Sequence, residues 1–328
     1  MTSRNATAGV LVVVTNLKQA QPELLMSLSP HSALNPDKLK RPFSIGLSAL
    51  DPKDWIIPDQ HLAHQLHEKA RHLEERHEAV FKVEDAMLEA QAEVLDMLLE
   101  QLPATYPDIW QVEQGRVTIK PAGITYKLSD YADRPLELAG RIVQDDLVIM
   151  RKGEGGYRIA AASLCFPSTW VLADKFSRPI ADVHAPVPGF GPGTKTAALV
   201  DRIFDNLKAG HPVQRANWSI YEVPDLHHPY SHSTHTRWTD ISGGFFNGTW
   251  LRAERQTLTR LPASGDVLFT IQIVVDPVSL LMTHPDRAEI AATLKSHIER
   301  LDGPELAYKG LTGHRDMVLA ELSAVEAS

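Results

Sequence analysis

Strand-like runs crowd the middle of this chain, and helix-like periodicity dominates its two ends. Tyr157–Cys165, Ala216–Glu222, Thr249–Arg260 and Val267–Val275 are rich in β-branched, aromatic and apolar residues, and Thr169–Asp174 reads the same way. Only one short helical pattern, Leu199–Leu207, interrupts them. Parallel strands need a long crossover, usually a helix, between each pair. The pattern therefore predicts an α+β fold around a mainly antiparallel sheet, with helical additions at the N- and C-terminal ends, and not alternating βαβ units.

Those additions have their own punctuation. Leu62, Leu66, Ala70 and Leu73 recur at helical spacing, as do Val83, Met87, Ala90, Val94, Met97 and Leu98. The stretch Asp59–Leu102 exceeds the usual helix length, so two helices with a break near Ala79–Phe81 are expected, closed by Pro103 and Pro107. Val117–Ile119 and Ile124–Tyr126 read as a hairpin around Pro121-Ala122-Gly123, and Asp145–Met150 as a strand or a helix end. Pro285–Arg300 reads as a helix, with Gly303-Pro304 breaking it before a last helix through Ala320. Residues 1–40 are expected to form a loosely structured leader, apart from the apolar run Val10–Val14 and a turn at Ser27–Pro30. Residues 41–328 are expected to form one domain.

The chain has 328 residues, 43% of them hydrophobic, which is ample for a well-buried core. Its net charge of −8 and the lack of any Lys/Arg-rich tract argue against a nucleic-acid partner and against adsorption to an anionic membrane. Apolar runs such as Val267–Val275 fall far short of the roughly 20 residues that a membrane helix needs. Leu11–Val14 is too short for a signal-peptide core, so a soluble cytoplasmic protein is expected. The single cysteine, Cys165, excludes an intrachain disulfide, a four-thiolate iron–sulfur cluster and a four-cysteine zinc site. Gly191-Pro192-Gly193-Thr194-Lys195-Thr196 fails as a phosphate loop because Thr194 separates Gly193 from Lys195. It reads as a turn into the helix that follows.

Three groups of histidines stand out among fifteen. His61, His64 and His67 lie near one face of a helix, which reads as a solvated face. His227, His228, His232 and His235 crowd the segment HHPYSHSTH, which suits either a metal site or a polar insertion. His184 stands alone, followed by the stiff run Ala185-Pro186-Val187-Pro188-Gly189-Phe190. It suits an axial ligand to a planar iron cofactor, with Asp182 on the same strand face as its support, or an ordinary buried histidine. Cys165 is a rival ligand, although its apolar setting reads as plain core. In Thr249–Pro262, strand alternation puts Arg252, Glu254 and Gln256 on one face and Ala253, Arg255 and Thr257 on the other. A buried charge on either face needs a partner. Arg215, beside Trp218, adds another arginine.

The run ASLCFPSTWVLADKFSRPIADVHAPVPGF resembles the haem-dependent oxidative N-demethylase family. PFSIGLSALDPKDW, RANWSIYE and LRAERQTLTRLPASGDVLFTIQI resemble it too, in the same order, so that the resemblance spans roughly residues 42–300. The HHPYSHSTH insertion, the long leader and the final helix depart from it. The resemblance implies a PAS-like antiparallel sheet holding haem b. It implies O2-dependent removal of a methyl group from a small secondary amine, giving formaldehyde and a shorter amine. Carried onto this chain, it makes His184 the axial ligand of the haem iron. Arg215 and Arg255 become contacts to the cofactor, with Glu254 and Arg255 as the catalytic pair. Reducing equivalents are expected from a separate flavin/iron–sulfur reductase, since this chain lacks cluster cysteines. A non-catalytic haem- or ligand-binding PAS-like sensor, or a structural subunit, is the alternative.

Overall fold

A computed structural model describes residues 32–229 and 243–327. The strand-rich middle forms a seven-stranded sheet in which every neighbouring pair is antiparallel. In chain order its strands are β1 (Ser48–Ala49), β2 (Phe81–Val83), β6 (Asp146–Gly153), β7 (Gly156–Ser163), β8 (Val213–Tyr221), β9 (Trp250–Arg260) and β10 (Val267–Pro277). In space they run β1-β8-β9-β10-β6-β7-β2. The two longest strands, β9 and β10, pair along their whole length, from Val267 opposite Arg260 to Pro277 opposite Trp250. A small second sheet joins β3 (Trp110–Glu113), β4 (Arg116–Ile119) and β5 (Ile124–Lys127). The hairpin expected around Pro121-Ala122-Gly123 is therefore present, with β3 added on its outer side.

Three helices, α1 (Leu62–Glu75), α3 (Leu88–Thr105) and α4 (Pro135–Ile142), bury their apolar stripes in the larger core. Leu62, Leu66 and Leu73 of α1 and Val94, Leu98 and Leu102 of α3 are at most 2% exposed, as the helical spacing requires. The break between these helices is real but richer than expected. A single turn, α2 (His77–Val80), leads into β2, which pairs with β7 at the sheet edge. Val83 thus belongs to a strand and not to the helical stripe. Ala86, with φ of 58°, then turns the chain into α3.

A second core packs against one end of β8–β10, on the face that Trp218, Ala253 and Val274 share. Ile290, Leu294 and Ile298 of α9 (Arg287–Glu299) meet Val318 and Leu322 of α11 (Arg315–Glu326), with Phe245 from the short turn α8 (Phe245–Gly248) and Trp218, Leu251 and Val274 from the strands. The break expected at Gly303-Pro304 is present, but the expected single last helix is two, because Gly310, with φ of 72°, ends α10 (Gly303–Lys309) before α11 begins. Asp302 forms a capping box with Glu305, and Pro tolerates the first turn, where its missing N–H is no loss. Residues 32–40, expected in the loose leader, are packed here: Ala33, Leu34 and Leu39 are buried, and Asp276 accepts hydrogen bonds from Ser32 Oγ at 2.6 Å and Ala33 N at 2.7 Å. Val10–Val14 and Ser27–Pro30 lie outside the described residues.

Thr169–Asp174 is not a strand. Thr169 adopts φ of 62°, which ends any extended run, and Leu172–Lys175 closes one helical turn, α5. His184 likewise does not end a strand. Ile180–Val183 is a helical turn, α6, and His184 is its C-cap, with its N–H donated to the Ile180 carbonyl at 3.0 Å.

Candidate functional site

The sheet face opposite α1 and α4 is covered by the segment from Leu164 to Phe190 and by α7 (Lys195–Asn206). Between cover and sheet lies an open-mouthed cavity of about 250 Å³. Strand period dictates its floor. Arg215, Asn217, Ser219 and Tyr221 come from β8, and Glu254, Gln256 and Leu258 from β9, each two residues from the next. Val148, Ile159, Phe269 and Ile271 extend the floor as an apolar surface. The cover is held in place by polar ties. Thr194 caps α7 by accepting the Ala197 N–H at 3.1 Å, in keeping with the turn into a helix expected there. Arg252 donates to Ser168 Oγ and to the Phe166 and Asp225 carbonyls, so its charge is spent on fastening the loops.

His184 lines the cavity from the cover. Phe190 stands edge-on to its ring at 6.0 Å, and the Pro186 and Pro188 bends follow it. Among the described residues neither ring nitrogen has a hydrogen-bond partner. Burial, reinforced by the nearby charges of Lys175 and Arg215, pushes its pKa down to about 4. The imidazole is therefore neutral at neutral pH, and its side chain lines the cavity. Asp182 does not support it: once α6 replaces the expected strand, the same-face relation is lost.

Polar groups gather on the β8–β9 floor. Gln256 Nε2 donates to Glu254 Oε2 at 2.7 Å, and Asn217 Nδ2 approaches the same oxygen at 3.5 Å. Arg215 Nη1 donates to Gln256 Oε1 at 3.0 Å and Nη2 to the Ser44 carbonyl at 3.0 Å, while its buried Nε has no partner among the described residues. Burial lowers the pKa of Arg215, with Glu254 opposing the effect. Lys175 lies 4.3 Å above the Trp170 ring, and burial lowers its pKa to about 8 against the pull of Glu254 and Asp174. It has no ion pair among the described residues.

Sequence reasoning thus brings His184, Arg215 and Glu254 to one cavity, and misplaces Arg255. Its guanidinium is on the other face of β9, where it donates to the Trp55 carbonyl at 3.0 Å and to the Asp54 carbonyl. The period-2 alternation that carries Glu254 into the cavity carries Arg255 away from it, so Arg255 is no contact to a group bound there. Cys165 is also out of reach. It is fully buried beside Lys69, and burial pushes its thiol pKa up, the reverse of what a thiolate ligand needs. The three histidines of α1 and its N-cap do not converge: His64 is exposed, and His67 bonds the Ala63 carbonyl. His227 bonds the Cys165 carbonyl at 2.7 Å and His228 packs on Tyr221, while His232 and His235 lie outside the described residues. Among the described residues no three His, Cys, Asp or Glu side chains gather as a metal site. Lys175, Asn217 and Lys309 were missed. The only signal for Lys175 was a lone cation inside the apolar run Trp170–Phe176.

The donor set fits an iron porphyrin. A neutral imidazole, apolar walls, and two cations with unspent capacity match a flat apolar ring that carries carboxylates. No described helix is long and apolar enough to cross a membrane. The sequence also matches the model of the haem-dependent oxidative N-demethylase, alpha subunit-like family over residues 46–319. Cavity, histidine and sequence agree, and the chain belongs to the haem-dependent oxidative N-demethylase, alpha subunit-like family.

Proposed function

We propose that this chain is the haem-binding component of a monooxygenase that removes a methyl group from a small secondary amine, giving formaldehyde and a shorter amine. The observation that carries the reading is the neutral, unpartnered His184 ring lining a cavity with apolar walls and a partly polar floor. In this reading His184 would hold the iron, and Arg215 and Lys175 would hold the haem carboxylates. The strand order supports the PAS-like fold: the five long strands β6–β10, taken in chain order, lie 2-1-5-4-3 in space.

When bound, the haem supplies the O2-dependent oxidation of the N-methyl carbon. The protein's own groups do the rest. A secondary amine reaches the site as an ammonium ion, because its basicity is well above neutral pH. Glu254 Oε1, which has no partner among the described residues, accepts an ammonium N–H and so orients the amine in the cavity. Phe166, Val183, Phe190 and the strand side chains exclude water, which strengthens that ion pair. Electrons come from a separate flavin/iron–sulfur reductase, in keeping with a chain of one cysteine and a family named for one subunit. The setting is cytoplasmic, where such reductases work.

Reconstitution with haem tests the reading. We expect an intense Soret band that shifts on reduction by dithionite, and formaldehyde release on adding dimethylamine, O2 and a chemical or protein reductant. His184→Ala should lose the wild-type spectrum and most of the bound haem. An unchanged spectrum in that variant removes His184 as the ligand.

A further inference from the structure

Two amide side chains point at Glu254, and each is turned toward it by a cation. Gln256 lies between Arg215 and Glu254: Arg215 Nη1 donates to its Oε1 at 3.0 Å, and its Nε2 donates to Glu254 Oε2 at 2.7 Å. Asn217 lies between Lys309 and Glu254: Lys309 Nζ donates to its Oδ1 at 3.3 Å, and its Nδ2 reaches Glu254 Oε2 at 3.5 Å. Neither amide is free to flip. Guanidinium and ammonium only donate and a carboxylate only accepts, so each amide must turn its oxygen to the cation and its NH2 to Glu254. Both relays end on the same oxygen, Oε2. Oε1 has no partner among the described residues, and the side chain lines the cavity.

Lys309 comes from far along the chain. It closes α10, is 2% exposed, and also donates to the Trp218 carbonyl and to Ser219 Oγ at 3.2 Å. Its ammonium sits over the Phe43 and Trp218 rings at 5.5 and 5.3 Å. A lysine held by this many groups cannot swing across the cavity to pair with Glu254 directly. Asn217 links it to the carboxylate.

We propose that Gln256 and Lys309 are positioning residues that clamp one oxygen of Glu254 and so present the other to a cationic amine. The clamp holds the carboxylate by one edge and leaves a single directed acceptor, which suits an ammonium N–H and not a neutral molecule of the same size. The proposal rests on the reading that Glu254 faces the amine, but not on the identity of the axial ligand. Lys309 and Gln256 also line the cavity, but in this scheme they act through Glu254.

The test measures binding of dimethylammonium chloride to the haem-reconstituted full chain by calorimetry, with 2-propanol as an uncharged probe of similar shape. Losing one charge-assisted hydrogen bond to Glu254 should weaken dimethylammonium binding about tenfold in Gln256→Leu and leave 2-propanol unchanged. Lys309→Met should weaken it in the same sense, with Lys309→Arg restoring part of the loss. Glu254→Gln should lose most of the binding, and adding Gln256→Leu to it should change nothing further. Equal weakening for both probes, or an undiminished effect of Gln256→Leu in the Glu254→Gln background, overturns the proposal, as does a wild-type chain that ignores dimethylammonium. Thermal melts identify variants that fail by unfolding, and Gln256→Glu then serves as the second variant. There a second carboxylate beside Glu254 loses the amide donor, and dimethylammonium affinity should change while the fold is kept; unchanged affinity overturns the clamp. If the wild type takes up no haem yet shows the coupling, the positioning role stands and the haem reading falls. If it takes up haem but shows no coupling, the haem reading stands and the clamp falls.

Discussion

Asp145 is fully buried on the sheet face away from the cavity, and neither of its carboxylate oxygens has a hydrogen bond of ordinary length. Burial raises its pKa to about 6, with the Arg255 and Lys69 charges, and Thr270 nearby, opposing the rise. The folded chain therefore holds this proton at pH values where the unfolded chain has lost it. The associated stability is present below the unfolded pKa of 3.8 and is lost as pH rises through about 6. A shift of this size is worth roughly 3 kcal/mol across that window. We expect Asp145→Asn to flatten the fall in unfolding free energy between pH 4 and 6, as read by urea titration at a series of pH values. A variant that tracks the wild type through that window contradicts the assignment. The same residue explains where Arg255 goes. Its charge stays near Asp145 and the Asp54 and Trp55 carbonyls, on the face of β9 that the cavity does not use.

Helix α4 and strand β7 pack so closely that Gly140 has no room for a side chain. A Cβ there would lie 2.8 Å from Ser163 Cβ and closer still to its Oγ. Two effects oppose each other in Gly140→Ala. Alanine gains about 1 kcal/mol of helix propensity, and overpacking a tight contact costs about 1–3 kcal/mol. The nearest atoms sit on a short, buried side chain that cannot move away, so the clash should win. We expect Gly140→Ala to lower stability by about 1–2 kcal/mol in chemical denaturation, with Ser163→Gly recovering most of it. A stabilised single variant shows that the two elements can separate.

The described residues form two apolar cores, one beneath and around the cavity and one under the C-terminal helices. Leu294, 1% exposed on α9, belongs to the second. Truncating such a leucine costs about 2–5 kcal/mol. Leu294→Ala should therefore lower the denaturation midpoint clearly while leaving haem uptake and spectrum at wild-type values under native conditions. A changed spectrum shows that the cores are coupled through β8–β10. Across the molecule, some features were legible in the sequence and others were not. Period-2 alternation in β9 set Glu254 and Gln256 against Arg255, and the structure keeps that division. The His184 segment was legible as a stiff apolar stretch, but its backbone was not: an apolar run of that length reads as strand until Thr169 and Pro179 turn it into loop and helical turn. Lys309 had no local signal, because its role depends on α10 folding back onto β8 from 92 residues away.

Local chemistry in the sequence determined the elements: antiparallel strands in the middle, helices at the ends, one histidine in a rigid apolar setting, and which residues of each strand share a face. These follow from side-chain period, proline and glycine, all of which act over a few residues. Only the tertiary structure decided which face of the sheet would be the cavity, that the cover would bring His184 and Lys175 to it, and that cations on β8 and α10 would orient the amides beside Glu254. Such contacts join residues distant in the chain. They depend on how much apolar surface each face can bury, which is a property of the whole fold and not of any one segment.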